Sequence, residues 1–331
     1  MQLKLGIVGA GRLGGFHAEK AAADPEVELV GVFDQDPQRT QEVAQKLQVK
    51  AFDSLESLAG QVEAAVVAAP TEFHYELARD LLEKNIHLLV EKPMTVKPEE
   101  AEQLVAIAKK NNLALLAGHT EQFNMAWRFW MTSLCEMIGE GPVVFHSQRT
   151  SGYTFRSVDV GAVLDLMIHD IELVLSVVPY KIVSVEATGF STIGGYEDIA
   201  DAKISFEDGT VANFFASRVH PAPSRSMSVQ SAYQLYEIDF AARKTTSFSA
   251  SHEVINKQFA PDQTFSVNPS HFMQEHFTTK EMQYETFDAL ALEMSDFVQT
   301  ILYQRPSQIL SGERAAKAIR VAAMILEKIH S

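Results

Sequence analysis

The chain has a single cysteine, Cys135, among its 331 residues. One cysteine cannot form a disulfide within the chain, so nothing in the sequence calls for an oxidising compartment. The chain has no run of 18 uncharged apolar residues, and Met1–Leu5 lacks the charged and apolar regions of a secretion signal. We therefore expect a cytoplasmic protein without a membrane span.

Basic residues are scarce, because 28 Lys and Arg stand against 43 Asp and Glu and give a formal net charge of −15. No basic stripe interrupts this balance, so nucleic acid and anionic membrane surfaces are not expected partners. A small anionic ligand stays open, since a few local cations and backbone N–H groups can hold one. Apolar residues make up 46% and charged residues 21%, as in ordinary globular proteins.

The length indicates two domains. Residues 1–120 alternate short apolar runs with amphipathic stretches, which is typical of βαβ units. The apolar runs, as expected for strands covered on both faces, are Leu3–Gly9, Val27–Phe33, Ala64–Ala69, Ile86–Val90 and Leu113–Ala117, with a weak sixth strand at Lys50–Phe52. We predict an α/β Rossmann domain with a six-stranded, mostly parallel, doubly wound sheet.

In residues 121–331 the regular alternation of apolar runs and amphipathic stretches ends. The pattern there predicts an α+β substrate-binding and oligomerisation domain. Phe123–Ile138 has the pattern of one aromatic-rich helix, and Lys181–Phe248 consists of alternating runs separated by turn signals. We expect a large, mostly antiparallel open sheet here. Helical patterns at Thr286–Tyr303 and Gly312–Ile329 close the chain.

The segment Gly9–Gly14 fits the pattern G-x-G-x-x-G. It follows the first predicted strand and opens a helix whose first N–H groups can hold a pyrophosphate, with Gly11 allowing close approach. Asp34, 20 residues after Gly14, stands where an acid binds the adenosine ribose hydroxyls. The alternative is a glycine turn that merely packs a helix on a strand. Because strand, helix and acid are all in register, we predict a dinucleotide site.

The acidic residues at the end of the second strand bear on the choice of cofactor. A carboxylate at Asp34 repels a 2′-phosphate, and Asp36 adds to this repulsion. Arg39 is the one residue nearby that favours a 2′-phosphate. Because two acids outweigh one cation, we expect NAD rather than NADP.

Two further segments suggest catalysis. Lys92 and Pro93 follow the fifth strand, at the sheet edge where α/β proteins bind ligands, and the proline fixes the position of the lysine. An ordinary surface lysine is the alternative. Asp165 and His169 are four residues apart, so a helix brings them to one face, although a solvated polar face has the same pattern. We expect no metal site, because zinc would need a thiolate cluster or paired histidines.

The combination of the glycine motif, the lysine after the fifth strand and the Asp165–His169 pair resembles the Gfo/Idh/MocA oxidoreductase family. This family includes glucose–fructose oxidoreductase and inositol dehydrogenase. The motifs that carry the resemblance are Gly9-x-Gly11-x-x-Gly14, Ala69-Pro70-Thr71 with His74, Glu91-Lys92-Pro93, Gly118-His119 and Asp165-x-x-x-His169-Asp170. They are specific in combination, and the resemblance spans essentially the whole chain. It gives Lys92, Asp165 and His169 a reason to meet in one cleft.

The resemblance implies a role for each of these residues. Lys92 would orient the reacting hydroxyl, His169 would be the general base or acid, and Asp165 would hold substrate and set the environment of His169. Histidine, whose unperturbed pKa is near 6.5, suits this proton transfer. The residues expected to contact the cofactor are Gly9, Gly11, Arg12, Leu13, Gly14, Asp34, Pro70, Thr71, His74, Glu91, Lys92 and Gln122. Those expected to contact the substrate are Lys92, Arg156, Asp165, His169 and Asp170.

Within the family, Gly118–Asn124 and Glu197–Ala202 are similar to the branch of UDP-N-acetylglucosamine 3-dehydrogenases, which carries Arg and Pro where this chain has Gln122 and Met125. This implies NAD-dependent oxidation of a ring hydroxyl of a sugar or nucleotide sugar. Guanidinium groups bind phosphates bidentately, and the candidates for a diphosphate are Arg149, Arg156, Arg218 and Arg225, with Arg156 preferred.

Two other functions stay open. A free sugar or inositol is the nearer alternative substrate. A non-catalytic dinucleotide-binding regulator is the alternative from another class, because a fold does not imply an activity. The resemblance also implies a homodimer or homotetramer formed through the C-terminal sheet. Ser249–Glu285 matches no element, and a role at a dimer edge or as a substrate lid is open.

Overall fold

The computed structural model describes residues 2–155, 159–256 and 269–331. The chain forms two compact units. The first consists of Met1–Phe123, Phe155–Leu175 and Phe287–Glu327, and the second consists of Asn124–Thr154, Ser176–Thr286 and Lys328–Ser331. The domain boundary at residues 120 and 121 stays a prediction, since the first unit also contains segments from beyond it. Among the described residues, no helix is long and apolar enough to cross a membrane.

The first unit contains the predicted parallel sheet. Its strands are β1 (Leu3–Val8), β2 (Val27–Phe33), β3 (Lys50–Ala51), β4 (Ala64–Val67), β5 (His87–Glu91) and β6 (Leu115–Gly118). They lie in the order β3-β2-β1-β4-β5-β6, and every pairing is parallel. The apolar runs form strands because both faces are covered, and all four residues of β4 are buried. The predicted Rossmann sheet is confirmed.

Helices connect these strands and complete the unit. They are α1 (Arg12–Ala23), α2 (Pro37–Leu47), α3 (Leu55–Ala59), α4 (His74–Glu83) and α5 (Pro98–Lys110). Pro37 and Pro98 occupy first-turn positions, where the missing N–H costs nothing. A π-helical turn (Val163–Met167) leads into α8 (Ile168–Val177), and α11 (Ala289–Leu302) and α12 (Gly312–His330) follow near the C-terminus.

The hydrophobic core of the first unit joins the sheet to α1 and α11. Leu5 and Val66 of the sheet pack in one cluster with Ala18 of α1 and Phe297 of α11. Full burial of a side chain such as Phe297 stabilises the fold by about 1.5–3 kcal/mol. Helix α11 is therefore part of the first unit, although 170 residues of the chain lie between it and β6.

The second unit is built on one eight-stranded sheet. Its strands are β7 (Val144–Thr150), β8 (Ile182–Phe190), β9 (Ile199–Phe206), β10 (Val211–Ser217), β11 (Ser224–Gln230), β12 (Gln234–Asp239), β13 (Lys244–Ala250) and β14 (Phe277–Gln283). Their order is β14-β13-β12-β11-β7-β10-β9-β8. Only β7 and β10 pair in parallel among these described strands. The prediction of a large, mostly antiparallel sheet is confirmed.

The expectation of one helix over Phe123–Ile138 is wrong. The chain instead makes a 3₁₀ turn (Thr120–Phe123), the short helix α6 (Met125–Arg128) and α7 (Met131–Glu140). A new helix starts after Asn124 because its side chain accepts a hydrogen bond from the Ala126 N–H at 3.1 Å, as an N-cap does.

The polar segment that matched no element is described in part. It contains α9 (His252–Ile255), α10 (Pro269–His276) and the edge strand β14, while residues 257–268 lie outside the described part of the chain. Strand β14 pairs with β13 from Lys244 to Ala250. No apolar alternation marks this strand in the sequence, because an edge strand needs little apolar surface.

Candidate active site

A cavity of about 360 Å³ opens at the carboxyl ends of β1, β2 and β4. Chain order reverses between β1 and β4, and α/β sheets bind nucleotides at such a switch point. Gly9, Asp34 and Pro70 line the cavity together with the apolar rings of Phe33 and Phe73. Apolar walls beside a carboxylate suit the adenosine half of a dinucleotide.

The glycines of the fingerprint have three different steric roles. Gly9 has φ +99° and passes so close to β4 that a Cβ would lie 2.6 Å from the Ala68 backbone. A Cβ on Gly14 would lie 1.7 Å from the Gly9 carbonyl oxygen, so this glycine allows α1 to pack on the turn. A Cβ on Gly11 would meet nothing within 4 Å. Gly11 therefore borders open space, and Arg12 and Leu13 are exposed beside it.

Asp34 holds the turn and faces the cavity at the same time. Its Oδ2 accepts a hydrogen bond from the Ala10 N–H at 2.6 Å, and its Oδ1 accepts one from the Asp36 N–H at 2.9 Å. A carboxylate has about four acceptor positions, so two remain for ribose hydroxyls. The contact of Asp34 with a ribose stays a prediction.

Asp36 and Arg39, the other charged residues of this loop, form an ion pair. Asp36 caps α2 by accepting a hydrogen bond from the Gln38 N–H at 2.9 Å. Its second carboxylate oxygen lies 3.3 Å from Nε of Arg39. Because Arg39 is already paired with an acid, it is a weak attractor for a 2′-phosphate, which favours NAD.

Lys92 and Asp165 meet within the first unit. Nζ of Lys92 donates to the Asp165 carbonyl oxygen at 2.8 Å and to Oδ1 of its carboxylate at 3.1 Å. The two side chains are 17% and 20% exposed, so they are shielded yet reachable. An ammonium has three N–H groups, and these contacts use two of them. The third can donate to a substrate hydroxyl.

Asp165 belongs to a wider helical turn than the sequence predicts. The expected α-helix begins as the π-helical turn Val163–Met167, and its α-helical part starts at Ile168. Such turns recur at functional sites. Here the Asp165 carbonyl oxygen accepts a hydrogen bond from a side chain, Lys92, rather than serving only the helix.

His169 is half-buried in the first turn of α8. Its ring lies edge-on to the ring of His119, with the ring centres 6.4 Å apart. His119 follows β6 and is 3% exposed, and burial lowers its pKa. His119 is therefore neutral near pH 7, and His169, which is more accessible, is the better placed of the two to exchange protons with a substrate.

Four predicted contact residues have buried side chains, which differs from the expectation that they line a ligand. Exposed fractions are 6% for Glu91, 1% for His74, 1% for Gln122 and 1% for Asp170. His74 spans two loops, because its ring nitrogens lie 2.9 Å from the Pro93 carbonyl oxygen and 2.8 Å from that of Ala69. Such residues can shape the site but do not offer their side chains to solvent.

Glu172, on α8, shows that this helix does not simply carry a solvated polar face. Glu172 is 2% exposed and accepts hydrogen bonds from Nε2 of Gln122 at 2.5 Å and from Nε of Arg314 at 2.5 Å. Sequence analysis missed Arg314, which lies in the first turns of α12 and 142 residues from Glu172. No local pattern could have paired them.

Two candidate phosphate ligands in the second unit have structural contacts. Nε of Arg218 donates to Oδ1 of Asp198 at 2.6 Å, and both side chains are buried. Burial opposes ionisation of Asp198, but hydrogen bonds from the Ile193 N–H and from Arg218 outweigh it and lower its pKa to about 2. The Arg149 guanidinium lies over the Phe240 ring, 5.8 Å from its centre.

The other two candidate phosphate ligands are Arg225 and Arg156. Arg225 is exposed. Arg156, the preferred diphosphate ligand, lies outside the described residues. The assignment of a diphosphate to Arg156 therefore stays a prediction.

Family models match two parts of the chain. Residues 3–119 match the model of the Gfo/Idh/MocA oxidoreductase family with an NAD-binding Rossmann fold. Residues 135–236 match the Gfo/Idh/MocA C-terminal domain. The two matches fall on the parallel sheet and on the eight-stranded sheet respectively.

The chain is similar to several dehydrogenases. It is 34% identical to the UDP-N-acetylglucosamine 3-dehydrogenase of Acidithiobacillus ferrooxidans over 72% of this chain and 75% of that protein. A solved structure of that enzyme covers 99% of this chain and 98% of its own, with a TM-score of 0.86 and 29% identity. Inositol 2-dehydrogenase of Rhizobium meliloti is 26% identical over 57% of this chain and 58% of its own length.

Proposed function

Because the chain belongs to the Gfo/Idh/MocA oxidoreductase family, we propose that it oxidises a ring hydroxyl of a nucleotide sugar, the C3 hydroxyl of UDP-N-acetylglucosamine. That the protein is an NAD-dependent oxidoreductase follows from its family. The choice of substrate is supported by the relative from Acidithiobacillus ferrooxidans, which is 34% identical over 72% of this chain. The observation that carries the catalytic assignment is the contact of Lys92 with Asp165.

The cofactor would lie along the carboxyl edge of the parallel sheet. Asp34 would accept hydrogen bonds from the adenosine ribose, and the N–H groups at the start of α1 would hold the pyrophosphate above Gly11. NAD supplies the acceptor for the hydride that leaves the carbinol carbon. The remaining chemistry falls to the side chains of this chain.

Oxidation of an alcohol breaks a C–H and an O–H bond, and the O–H proton needs a base. His169 would take this proton, since it is half-buried and histidine is the side chain type best suited to proton exchange near neutral pH. Lys92 would donate its third N–H to the same oxygen and stabilise the negative charge that develops there. Asp165 would fix Lys92 through its carbonyl and carboxylate oxygens.

A free sugar or inositol is the second candidate substrate. Gln122 favours it, because the UDP-N-acetylglucosamine branch carries Arg at this position and this chain has a neutral, buried amide bound to Glu172. Without a cation at position 122, the site has one group fewer that could attract the negative charge of a nucleotide sugar. A non-catalytic regulator is disfavoured by the Lys92–Asp165 contact, which a binding protein would not need.

The homodimer or homotetramer implied by the resemblance stays part of this proposal. Along its strands the eight-stranded sheet alternates buried residues with more exposed ones, so one face is more exposed than the other. Gln148 of β7, Ser228 of β11 and Lys244 of β13 lie on that more exposed face. Two such faces could pair. Light scattering of the purified protein measures this directly, and a monomer at micromolar concentration would contradict it.

Incubation with NAD and a panel of substrates tests the proposal. We expect UDP-N-acetylglucosamine to yield a product lighter by two hydrogens in mass spectrometry, with UDP-glucose, glucose and inositol much slower. The Lys92→Met variant is the control for contaminating dehydrogenases. Turnover of inositol or glucose alone would favour the second candidate. Bound NAD with no turnover of any compound would contradict both.

A further inference from the structure

Three ionisable side chains meet in the interior of the first unit. They are His17 of α1, Glu91 at the end of β5 and Glu293 of α11, and their exposed fractions are 0%, 6% and 0%. One nitrogen or oxygen atom of each lies within 4.8 Å of those of the other two. Glu91 directly precedes Lys92, so this cluster adjoins the candidate catalytic residue.

The contacts inside the cluster are uneven. Nε2 of His17 lies 2.7 Å from Oε1 of Glu91, and the Lys92 backbone N–H donates to Oε2 of Glu91 at 3.1 Å. Both carboxyl oxygens of Glu293 are buried without a hydrogen-bond partner among the described residues. Buried polar groups are almost always satisfied, so Glu293 needs an explanation.

The charges of the cluster limit the protonation state of Glu293. Burial alone would raise the pKa of Glu91, but the hydrogen bond and the charge of His17 and the charge of Lys92 outweigh it and lower this pKa. An ionised Glu293 would then be a second buried carboxylate without a cation of its own. Burial, with the charges of Glu91 and Asp296, raises the pKa of Glu293 well above its ordinary value.

We propose that Glu293 is a neutral carboxylic acid that donates a hydrogen bond to Glu91 and thereby positions Lys92. A protonated carboxyl has one O–H donor, and Glu91 is the carboxylate of the cluster that can accept it. A small rotation of Glu293, or one bridging water, closes the distance. Glu91, held by His17 and Glu293, then fixes the Lys92 backbone N–H. Glu293 is a positioning residue here, and this part rests on the proposed catalytic role of Lys92.

A divalent metal ion is the alternative occupant of the same three side chains. Two ligands of one zinc or manganese ion lie about 3 Å or more apart, since each metal–ligand distance is about 2.0–2.2 Å. The separation of 2.7 Å between His17 and Glu91 is instead that of a hydrogen bond. The geometry therefore favours a proton between them.

The ionisable groups from other elements that lie beside Glu293 are His17 of α1 and Glu91 of β5. Lys20 of α1 is engaged with Asp288 at 2.6 Å, and Glu121, in the turn before α6, is only partly buried. Asp296 is on α11 itself. None of these supplies a cation to Glu293 except His17, which Glu91 already binds.

Infrared difference spectroscopy tests the protonation without any substrate. The spectrum of the wild type minus that of Glu293→Gln should contain the C=O stretch of a protonated carboxylic acid at neutral pH. The matched control, Glu83→Gln, changes an exposed carboxylate of α4 and should give no such band. Absence of the band, or a stoichiometric metal that is present in the purified protein and lost in His17→Ala, would overturn the proposal.

The variants Glu293→Gln and Glu293→Met separate positioning from packing. Gln keeps the donor and the shape, so its kcat should stay within about twofold of the wild type. Met fills similar volume without a donor, so its kcat should fall about tenfold while KM changes little. Equal kcat values in Met and wild type would overturn the positioning role. If the Glu293→Met variant does not fold, the infrared band and the kcat of Glu293→Gln test the proposal. If no substrate is found, the infrared band alone tests whether Glu293 is protonated.

Discussion

The substitution Gly11→Ala separates cofactor binding from folding. Gly11 has φ −68° and ψ −167°, an extended conformation that alanine adopts without strain. A Cβ there meets no atom within 4 Å. The free protein should differ from the wild type by less than about 1 kcal/mol, because the restriction of the unfolded chain by alanine opposes its weaker preference for the N-cap of α1.

Binding of NAD should change more than the stability of the free protein. If the pyrophosphate lies above Gly11, the added methyl group overpacks it at a cost of about 1–3 kcal/mol. This corresponds to NAD binding weaker by about 5- to 150-fold. Calorimetric titration gives the Kd, and thermal melting without NAD gives the stability of the free protein.

Two other glycines calibrate this experiment. Gly139→Ala in α7 also adds a Cβ with no atom within 4 Å, and it should leave NAD binding unchanged. Gly14→Ala places its Cβ 1.7 Å from the Gly9 carbonyl oxygen, so it should destabilise the protein even without NAD. If Gly11→Ala binds NAD as tightly as the wild type, the placement of the pyrophosphate is wrong.

Three further predictions concern Lys92, Asp34 and Asp198. Lys92→Met should lower kcat by about 100-fold or more while changing the Kd of NAD little, measured by steady-state kinetics and calorimetry; an unchanged kcat would refute its role. Asp34→Ala should weaken NAD binding by about 10- to 100-fold and narrow the preference over NADP, and tighter binding of NADP by the wild type would contradict the assignment. Asp198→Asn removes the buried negative charge that Arg218 binds, so urea unfolding should show a loss of about 3–5 kcal/mol at neutral pH.

The acid dependence of the Asp198 contribution has a definite sign. Its folded pKa of about 2 lies below the ordinary value of 3.8. Its stabilisation is therefore present above about pH 4 and is lost as pH falls toward 2. The difference between wild type and Asp198→Asn should shrink over that interval, and a constant difference would contradict the assignment.

The sequence predicts the first unit well because its signals are local. The turn at Gly9–Gly14 and Asp34 belong to the first βαβ unit, and each apolar strand is one continuous run of the chain. The helix Ala289–Leu302 was also expected, but its place beside α1 was not. That packing depends on Phe297 and Ala18, which are far apart in the chain, and periodicity cannot show which helix face meets which partner.

The candidate site is predicted less completely for the same reason. The contact of Lys92 with Asp165 joins residues 73 positions apart and follows from the family resemblance rather than from spacing. Glu293 and Arg314 gave no signal, because a single charged residue on an amphipathic helix is ordinarily solvated. Only the fold shows that Glu293 is buried.

Deuterium transfer tests the central claim most directly. UDP-N-acetylglucosamine that carries deuterium at C3 is incubated with NAD and the wild-type protein, and the reduced cofactor is analysed by mass spectrometry. The account predicts reduced cofactor with one deuterium, and none from the Lys92→Met variant. Reduced cofactor without deuterium, or release of the label to water, would contradict hydride transfer from this carbon.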